Sequence, residues 1–164
     1  MQGQCVIRRA VPSDAQSISL LIGSLSRYRL PDAEGPPPEQ FSAGYAAAKI
    51  EEDIAKDRFR YFVASVEEAV VGVLGIGDGP RIQHFFVTES LHRQGIGRAL
   101  WERAKEEVLM EMEAGDEGTL EVYSSIHAVP VYERFGIDVV GGVVEGVGFA
   151  YVPMRTILRR DDSR

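Results

Sequence analysis

The sequence predicts a mixed α/β fold of α+β character, in which helices flank a central, mainly antiparallel sheet. Short runs rich in aromatic and β-branched residues alternate with runs whose apolar residues recur every three or four positions, which is typical of interleaved strands and helices. The predicted order is β-α-α-β-β-β-α-β-α-β-β. With 164 residues, of which 45% are hydrophobic and 26% charged, we expect one domain over residues 1–158 and a charged tail at 159–164.

The first strand and the first helix are predicted from a proline that ends the strand and a capping signature that begins the helix. Residues 4–9 alternate weakly between apolar and polar side chains and predict a strand, which Pro12 ends. The run Ser13-Asp14-Ala15-Gln16 is a capping-box signature, in which the serine accepts from a backbone N–H and the glutamine reaches back. A helical stripe follows, made of Ala15, Ile18, Leu21, Ile22 and Leu25.

A proline-rich loop and a second helix are predicted before the sheet resumes. Residues 29–38 contain three consecutive prolines, which stiffen a loop that we expect to bridge two helices of one domain. Residues 39–57 are helical by composition, although Gly44 argues against one uninterrupted helix. Residues 60–66 and 70–76 then predict two strands joined by a short turn.

The aromatic run at residues 81–88 predicts the third strand of an antiparallel meander, because Gly77-Asp78-Gly79-Pro80 before it is a strong turn signal. A polar loop leads to a long helix that Gly95 and Gly97 open, that is amphipathic as far as Met112 and that we expect to end near Gly115. Apolar residues recur every four positions on one face of this helix, at Ile96, Leu100, Ala104 and Val108.

The last part of the chain predicts a strand, a short helix and a hairpin. Residues 119–123 predict the strand, and residues 128–135 predict the helix, which Gly136 closes. Residues 138–144 and 148–158 predict the two strands of the hairpin. Where the meander turns parallel through the long helix, the strand direction changes, and ligand clefts form at such places.

Two glycines at the start of the long helix predict an anion-binding site. Gly95 and Gly97 lack Cβ atoms, so an anion can reach the first N–H groups and the positive end of the helix dipole. Arg93 and Arg98 flank the site and can add charge-assisted hydrogen bonds. A dinucleotide-binding turn fits poorly, because Leu100 stands where its third glycine is required, and no Gly-Lys-Ser/Thr of a P-loop occurs.

The run from His92 to Gly97, His-Arg-Gln-Gly-Ile-Gly, resembles the pyrophosphate-binding motif of the GNAT superfamily of acetyl-CoA-dependent N-acyltransferases, Arg/Gln-x-x-Gly-x-Gly/Ala. His92 departs from that motif at the first position. A second stretch, residues 120–137, resembles the family's other motif, Asn-x-x-Ala-x-x-Phe-Tyr-x-x-x-Gly-Phe. Three of its residues match in place, Ala128, Tyr132 and Gly136, whereas three are replaced, by Ser125, Val131 and Ile137.

The resemblance implies where acetyl-CoA sits as co-substrate. The pantetheine arm would pair with the exposed edge of the strand at residues 81–88, and the pyrophosphate would rest on residues 93–98. The thioester would lie where that strand and the one at 119–123 splay apart. The residues expected to bind acetyl-CoA are Phe85, Phe86, Val87, His92, Arg93, Gln94, Gly95, Ile96, Gly97, Arg98 and Ser125.

The resemblance also implies two catalytic groups. The backbone N–H of Phe85 would donate to the oxyanion, and Tyr132 would protonate the leaving sulfur. The alternative for Tyr132 is a packing role only. No carboxylate stands where some family members place a general base. His84 has suitable chemistry near neutral pH and is the side-chain candidate, although strict alternation puts it with Ile82 and Phe86 unless a bulge re-aims it. A water chain is the expected substitute.

Charge and composition limit the expected partners. A net charge of −7 disfavours nucleic acid, and no apolar run of membrane-spanning length or signal-peptide region occurs. The single Cys5 and the lack of a secretion signal favour the cytoplasm. The three histidines have no metal-ligand spacing, so no metal is expected. A homodimer is left open.

We therefore expect an N-acetyltransferase that acts by direct transfer in a ternary complex. Its acceptor is expected to be a small cationic amine, which enters beside residues 27–57, where aromatic and acidic side chains occur together: Tyr28, Phe41, Tyr45, Asp32, Glu34 and Glu39. Two alternatives stay open, a sensor that binds acetyl-CoA without catalysis and a generic α/β binding domain.

Overall fold

The computed structural model describes residues 3–25, 45–56, 59–77, 80–146 and 149–160, and these form eight strands and four α-helices. The strands are β1 Cys5–Arg9, β2 Arg60–Val66, β3 Ala69–Gly77, β4 Arg81–Val87, β5 Glu117–Ser124, β6 Asp138–Val139, β7 Val144–Gly146 and β8 Phe149–Arg159. The helices are α1 Ala15–Leu25, α2 Ala47–Ile54, α3 Ile96–Glu111 and α4 Val129–Arg134.

The strands make one sheet in the order β1-β2-β3-β4-β5-β8-β6, and β7 also pairs with β8. Each pairing is antiparallel except that of β4 with β5, between which α3 forms the crossover. The predicted class, a mixed and mainly antiparallel sheet flanked by helices, is confirmed.

The parallel pair β4–β5 is joined only at its beginning. Arg81 pairs with Glu121 and Ile82 pairs with Val122, whereas β3 stays paired with β4 as far as Val87. Beyond Ile82 the two parallel strands therefore diverge, and β4 presents a free edge toward the gap. An open edge inside a sheet exposes N–H and C=O groups that an extended ligand can pair with.

A bulge in β4 decides which side chains face which side of the sheet. Ile76 pairs with Ile82 and Gly75 pairs with His84, so Gln83 is an extra residue. Strict alternation would have put Ile82, His84 and Phe86 on one face. Instead Ile82 packs on the α3 side, as Phe85 and Val87 also do, while Phe86 packs on the α1 side.

Two apolar clusters cover the two faces of the sheet. The one beneath α3 includes Leu100, Trp101 and Ala104, and the one beneath α1 and α2 includes Ile18 and Ile50. These five side chains are at most 1% exposed. The stripe predicted for the long helix is thus confirmed at Ile96, Leu100 and Ala104, with Val108 partly buried.

The start of α1 differs from its prediction. Residues Pro12–Asp14 form a single 3-10 turn, and Ser13 and Gln16 do not make the predicted capping box. The carboxylate of Asp14 caps this end instead, since its Oδ2 accepts from the N–H of Val11 at 2.8 Å. Arg8 donates to both oxygens of the same carboxylate, at 2.8 and 2.9 Å.

Asp14→Asn should lower the free energy of unfolding by about 2 kcal/mol at pH 7, because it removes charge-assisted hydrogen bonds at a buried site. The hydrogen bonds from Arg8, the largest effect, lower the pKa of Asp14, and burial opposes them. A lowered pKa means that the contribution is complete above the unfolded-state value of about 3.9 and is lost as pH falls below it.

Urea denaturation of both proteins at pH 7 and pH 3 checks this expectation, with Asp138→Asn, an exposed aspartate, as the control. The stability difference should shrink at pH 3. An equal difference at the two pH values would show that the carboxylate charge is not what stabilises this end of α1.

Three element boundaries also differ from the predictions. The segment predicted as one strand at 138–144 forms two pieces, β6 and β7, with Gly141 and Gly142 between them. The described part of the predicted helix 39–57 is α2, and residues 26–44 lie outside the described residues. β8 runs to Arg159, which pairs with Glu117, so the strand ends one residue later than predicted.

Candidate active site

A cleft of about 650 Å³ opens where β4 and β5 separate, within the size range of small-molecule sites. From the two strands it is lined by Ile82, Gln83, Phe85, Phe86, Val87, Val122 and Tyr123. From the loop before α3 and from α3 itself it is lined by Glu89, Leu91, His92, Arg93, Gly95, Ile96, Gly97 and Arg98. The segment around α4 contributes Ser125, His127, Ala128, Val131, Tyr132, Arg134 and Phe135, and α1 contributes Leu25.

The start of α3 forms one end of this cleft and is suited to an anion. Arg93 and Gly95 have positive φ angles, 67° and 81°, so the backbone turns sharply just before the helix. Gly95 is the N-cap and provides no side-chain acceptor, so the N–H groups of the first turn are uncapped. Such a turn of successive N–H groups at a helix N-terminus is a nest for phosphate.

Gly97 leaves the approach to this nest open. A Cβ at Gly97 would lie 3.7 Å from the Phe85 ring and 3.9 Å from the Phe135 ring, which is ordinary contact. The backbone of α3 thus passes directly beside the aromatic wall of the cleft. A larger side chain at this position would project into the space that a bound phosphate needs.

Basic side chains gather at the nest although the chain is acidic overall. Arg93, Arg98 and Arg134 line the cleft together with His92 and His127, and Glu89 is the acid among the lining residues. Arg98 is held in place, since its guanidinium lies 5.2 Å from the Phe135 ring centroid and donates to the Arg134 carbonyl. This local positive charge fits a ligand with several phosphate charges.

His127 and Arg134 were missed as site residues by the sequence analysis. The signal that could have found them is their position in the second motif, between Ser125 and Gly136, since that motif was expected to meet the cofactor. Gln94, in contrast, was predicted to bind the cofactor, and it is exposed and not among the lining residues.

His92 occupies the motif position at which this sequence departs from the family pattern. Its Nε2–H donates to the carbonyl oxygen of Val87 at 2.7 Å, which ties the loop before α3 to the end of β4. Ser125 has a similar structural role, because its Oγ accepts from the N–H of Ala128 at 3.3 Å and caps the following turn. Both side chains line the cleft while holding its walls in place.

Tyr132 lies beside the free edge of β4. Its ring packs edge-on against Phe85, with ring centroids 5.9 Å apart, and Phe85 in turn stacks on Phe135 at 5.8 Å. The side chain is 8% exposed and lines the cleft. The structure therefore brings together Tyr132, Phe85 and the nest, three of the features expected to meet in one site.

His84 lies elsewhere. Its ring faces Tyr61, with centroids 6.1 Å apart, on the side of the sheet that α1 covers, which is the Phe86 side where alternation along β4 puts it. It is 7% exposed and is not among the residues that line the cleft. The Tyr61 ring lies directly over Gly75, because a Cβ at Gly75 would be only 2.4 Å from it. The absence of a side chain at Gly75 therefore allows Tyr61 to pack beside His84.

The residues expected around the acceptor are only partly described. Tyr28, Asp32, Glu34, Glu39 and Phe41 lie outside the described residues. Tyr45 packs beside Gly23 and against the cluster beneath α1, and it does not line the cleft. Tyr123 of β5, in contrast, does line the cleft.

Comparison with known proteins decides the family. A family-wide profile of the acetyltransferase (GNAT) domain matches residues 25–158, which include both motifs, the nest and the diverging strands. The chain belongs to the GNAT acetyltransferase family. The predictions of this family, of an acetyltransferase and of acetyl-CoA as co-substrate are thereby confirmed. No curated protein sequence matches the chain.

Solved structures share the fold of this GNAT domain at low sequence identity. The PaiA N-acetyltransferase from Thermoplasma acidophilum, in complex with coenzyme A, has a TM-score of 0.75 and 12% identity, over 93% of this chain and 98% of that one. An aminoglycoside 6'-N-acetyltransferase complexed with coenzyme A has a TM-score of 0.69 and 14% identity, over 93% and 97%. Ard1 from Thermoplasma volcanium has a TM-score of 0.69 and 20% identity, over 94% and 97%.

Two further observations concern the described part of this GNAT domain. Its His, Cys, Asp and Glu side chains form no group of three or more that could hold a metal ion. None of the helices that these residues form is long and apolar enough to span a membrane.

Proposed function

We propose that this GNAT domain transfers the acetyl group of acetyl-CoA to an amine of a small-molecule or peptide acceptor, by direct attack in a ternary complex. The observation that carries the proposal is one continuous cleft with a basic phosphate nest at one end and the free edge of β4 at the other. Phosphates held at the nest and an extended arm paired with β4 would place the thioester in the gap between β4 and β5.

The residues proposed to hold acetyl-CoA act in two groups. The N–H groups at the start of α3, with Arg93, Arg98 and Arg134, would bind the phosphates through charge-assisted hydrogen bonds. The backbone of β4 from Phe85 to Val87 would pair with the pantetheine arm as an added strand does. The stacked rings of Phe85 and Phe135 would form an apolar wall beside the bound cofactor.

In the reaction the amine nitrogen forms a bond to the acetyl carbon, the carbon–sulfur bond breaks, the nitrogen loses a proton and the sulfur gains one. The backbone N–H of Phe85 is proposed to stabilise the negative charge that develops on the carbonyl oxygen. Tyr132, packed against Phe85, is proposed to protonate the leaving sulfur. The acetyl-CoA supplies the activated acyl group, and the protein orients it.

The amine proton is proposed to leave through water. His84 stays a sequence-based prediction as the general base, and its position beside Tyr61 on the α1 side requires at least one intervening water between it and the cleft. If His84 is the base, kcat/KM should decrease as the pH is lowered below the pKa of a histidine, ordinarily about 6.5. In His84→Ala this decrease should disappear.

The acceptor class rests partly on residues outside the described ranges. The expectation of a small cationic amine comes from Asp32, Glu34 and Glu39, and it stays a prediction that their joint neutralisation would test through the KM of the acceptor. Aminoglycoside acetylation by a protein of the same fold is compatible with such an amine. A cytoplasmic location, an undivided domain over residues 1–158 and a homodimer also stay predictions.

A turnover screen tests the proposed function. Acetyl-CoA is supplied with a panel of amines that includes polyamines, aminoglycosides, amino acids and short peptides, and thiol release is measured continuously. We expect release that depends on one class of amine and yields its acetylated product. If acetyl-CoA binds tightly while no amine is acetylated, the non-catalytic sensor replaces the enzyme.

A further inference from the structure

Three planar groups are stacked on the sheet face opposite α3, where β4 and β5 begin to diverge. The Arg81 guanidinium lies 4.5 Å from the centroid of the Tyr123 ring, and that ring stacks on Tyr151 with centroids 4.5 Å apart and planes 25° apart. Leu120 and Val122 of β5 are buried beneath α3, so alternation turns Tyr123 to the other face. Since Tyr123 also lines the cleft, the stack borders the gap.

The Arg81 side chain extends toward the open end of the gap. Arg81 is paired in register with Glu121, whereas the ring on which its guanidinium lies belongs to Tyr123, two residues further along β5. Two residues of a strand span roughly 7 Å. The guanidinium is therefore held beside Tyr123, which lines the cleft, while Arg81 itself is not among the lining residues.

Arg81 is also without a carboxylate partner among the described residues, in a chain with 25 acidic and 18 basic side chains. Its neighbour Glu121 is engaged by Arg155 at 3.0 Å. The described arginines outside the cofactor cleft otherwise form ion pairs or bind backbone carbonyls, as is seen at Arg8, Arg9, Arg60, Arg103, Arg155, Arg159 and Arg160.

The Arg81 guanidinium carbon lies over the Tyr123 ring. Such a cation–π contact leaves the N–H donors of the group available for hydrogen bonds. In-plane donors of a fixed guanidinium match the two oxygens of a carboxylate. The stack also provides an apolar, aromatic surface, since Tyr123 is 41% exposed.

We infer that Arg81, held on Tyr123, binds a carboxylate of the acceptor, so that the acceptor is an amino acid. The inference rests on the proposed N-acetyltransferase function and names its substrate class. Phe85 follows Arg81 by four residues on β4, beyond the last β4–β5 pair, Ile82 with Val122. An amino acid with its carboxylate on Arg81 would extend its amine along β4 toward Phe85. The same molecule still arrives with a cationic ammonium end, as the sequence analysis expected.

The test compares amino acids with the amines that lack only the carboxylate. Binding of L-phenylalanine, L-tyrosine, L-lysine and L-ornithine is measured by calorimetry on the protein saturated with coenzyme A, beside phenethylamine, tyramine, cadaverine and putrescine. We expect at least one amino acid to bind about tenfold or more tightly than its decarboxylated counterpart, because the amine lacks the charge-assisted hydrogen bonds between carboxylate and guanidinium. Arg81→Gln should abolish that preference, and Arg81→Lys should restore part of it.

Arg159→Gln is the matched control, since it removes the same charge from β8, where its partner is Glu117 rather than Glu121, the register neighbour of Arg81. It should keep the preference for amino acids, and each variant should keep the coenzyme A affinity of the unaltered protein within about twofold. The inference is overturned if the amines bind as tightly as the amino acids, or if Arg159→Gln loses the preference as Arg81→Gln does. Calorimetry tests carboxylate binding by Arg81, and thiol release tests acetyl transfer. A failure of either proposal can therefore be told apart from a failure of the other.

Discussion

Gly97→Glu should weaken acetyl-CoA binding by well over tenfold, a loss of about 1.4 kcal/mol or more. The glutamate would project from the first turn of α3 into the space that the nest leaves for phosphate, and it would oppose a negatively charged ligand with its own charge. The fold should survive, because the added Cβ makes only ordinary contact with Phe85 and an acidic side chain is favourable at a helix N-terminus.

Calorimetry with acetyl-CoA measures the effect, and two variants separate its causes. Gly97→Gln adds a side chain of the same size without the charge, so its smaller loss would report the steric part. Gly142→Glu adds the same charge at an open glycine outside the cleft and should leave the affinity unchanged. A folded Gly97→Glu protein with the original affinity would place the phosphates elsewhere.

Tyr132→Phe should lower kcat by roughly 10- to 1000-fold while acetyl-CoA still binds within about twofold of the original affinity. The substitution keeps the ring that packs edge-on against Phe85 and removes only the hydroxyl. If that hydroxyl protonates the leaving sulfur, its contribution develops only as the carbon–sulfur bond breaks. Rapid thiol-release kinetics with the preferred amine, alongside calorimetry, measure the two quantities.

Tyr45→Phe provides the matched control, because it removes a tyrosine hydroxyl outside the cleft lining and should leave kcat nearly unchanged. Full turnover by Tyr132→Phe would assign Tyr132 a packing role only. Equal losses of kcat and of acetyl-CoA affinity would indicate that the hydroxyl supports the cleft wall rather than the chemistry.

Much of this GNAT domain could be predicted from local signals. The spacing of Ile96, Leu100 and Ala104 is a property of one helix, and it identified both the helix and its buried face. The Gly95-Ile96-Gly97 run likewise carries its own physical meaning, because the absence of side chains and the start of a helix are both visible in sequence. Two motifs in order along the chain then sufficed to indicate the family and its co-substrate.

Other predictions failed where two local signals competed. Ser13 and Gln16 have the spacing of a capping box, but Asp14 is a stronger acceptor and has a partner in Arg8, six residues earlier on β1. The predicted strand is interrupted at Gly141 and Gly142 because four residues, 140–143, lie between its two paired pieces, whereas only Val152 and Pro153 lie between their partners on β8. Such outcomes depend on neighbours that the local pattern does not contain.

The sequence by itself determined the class of fold, the long helix with its nest and the identity of the co-substrate, since each follows from short-range periodicity or from a contiguous motif. The tertiary structure alone decided how side chains meet across strands. The bulge at Gln83 turns Ile82 to the α3 side, opposite to Phe86, and the divergence of β4 from β5 opens the cleft. Register likewise sets Arg81 on Tyr123, because pairing between distant segments is fixed by the packing of the whole sheet.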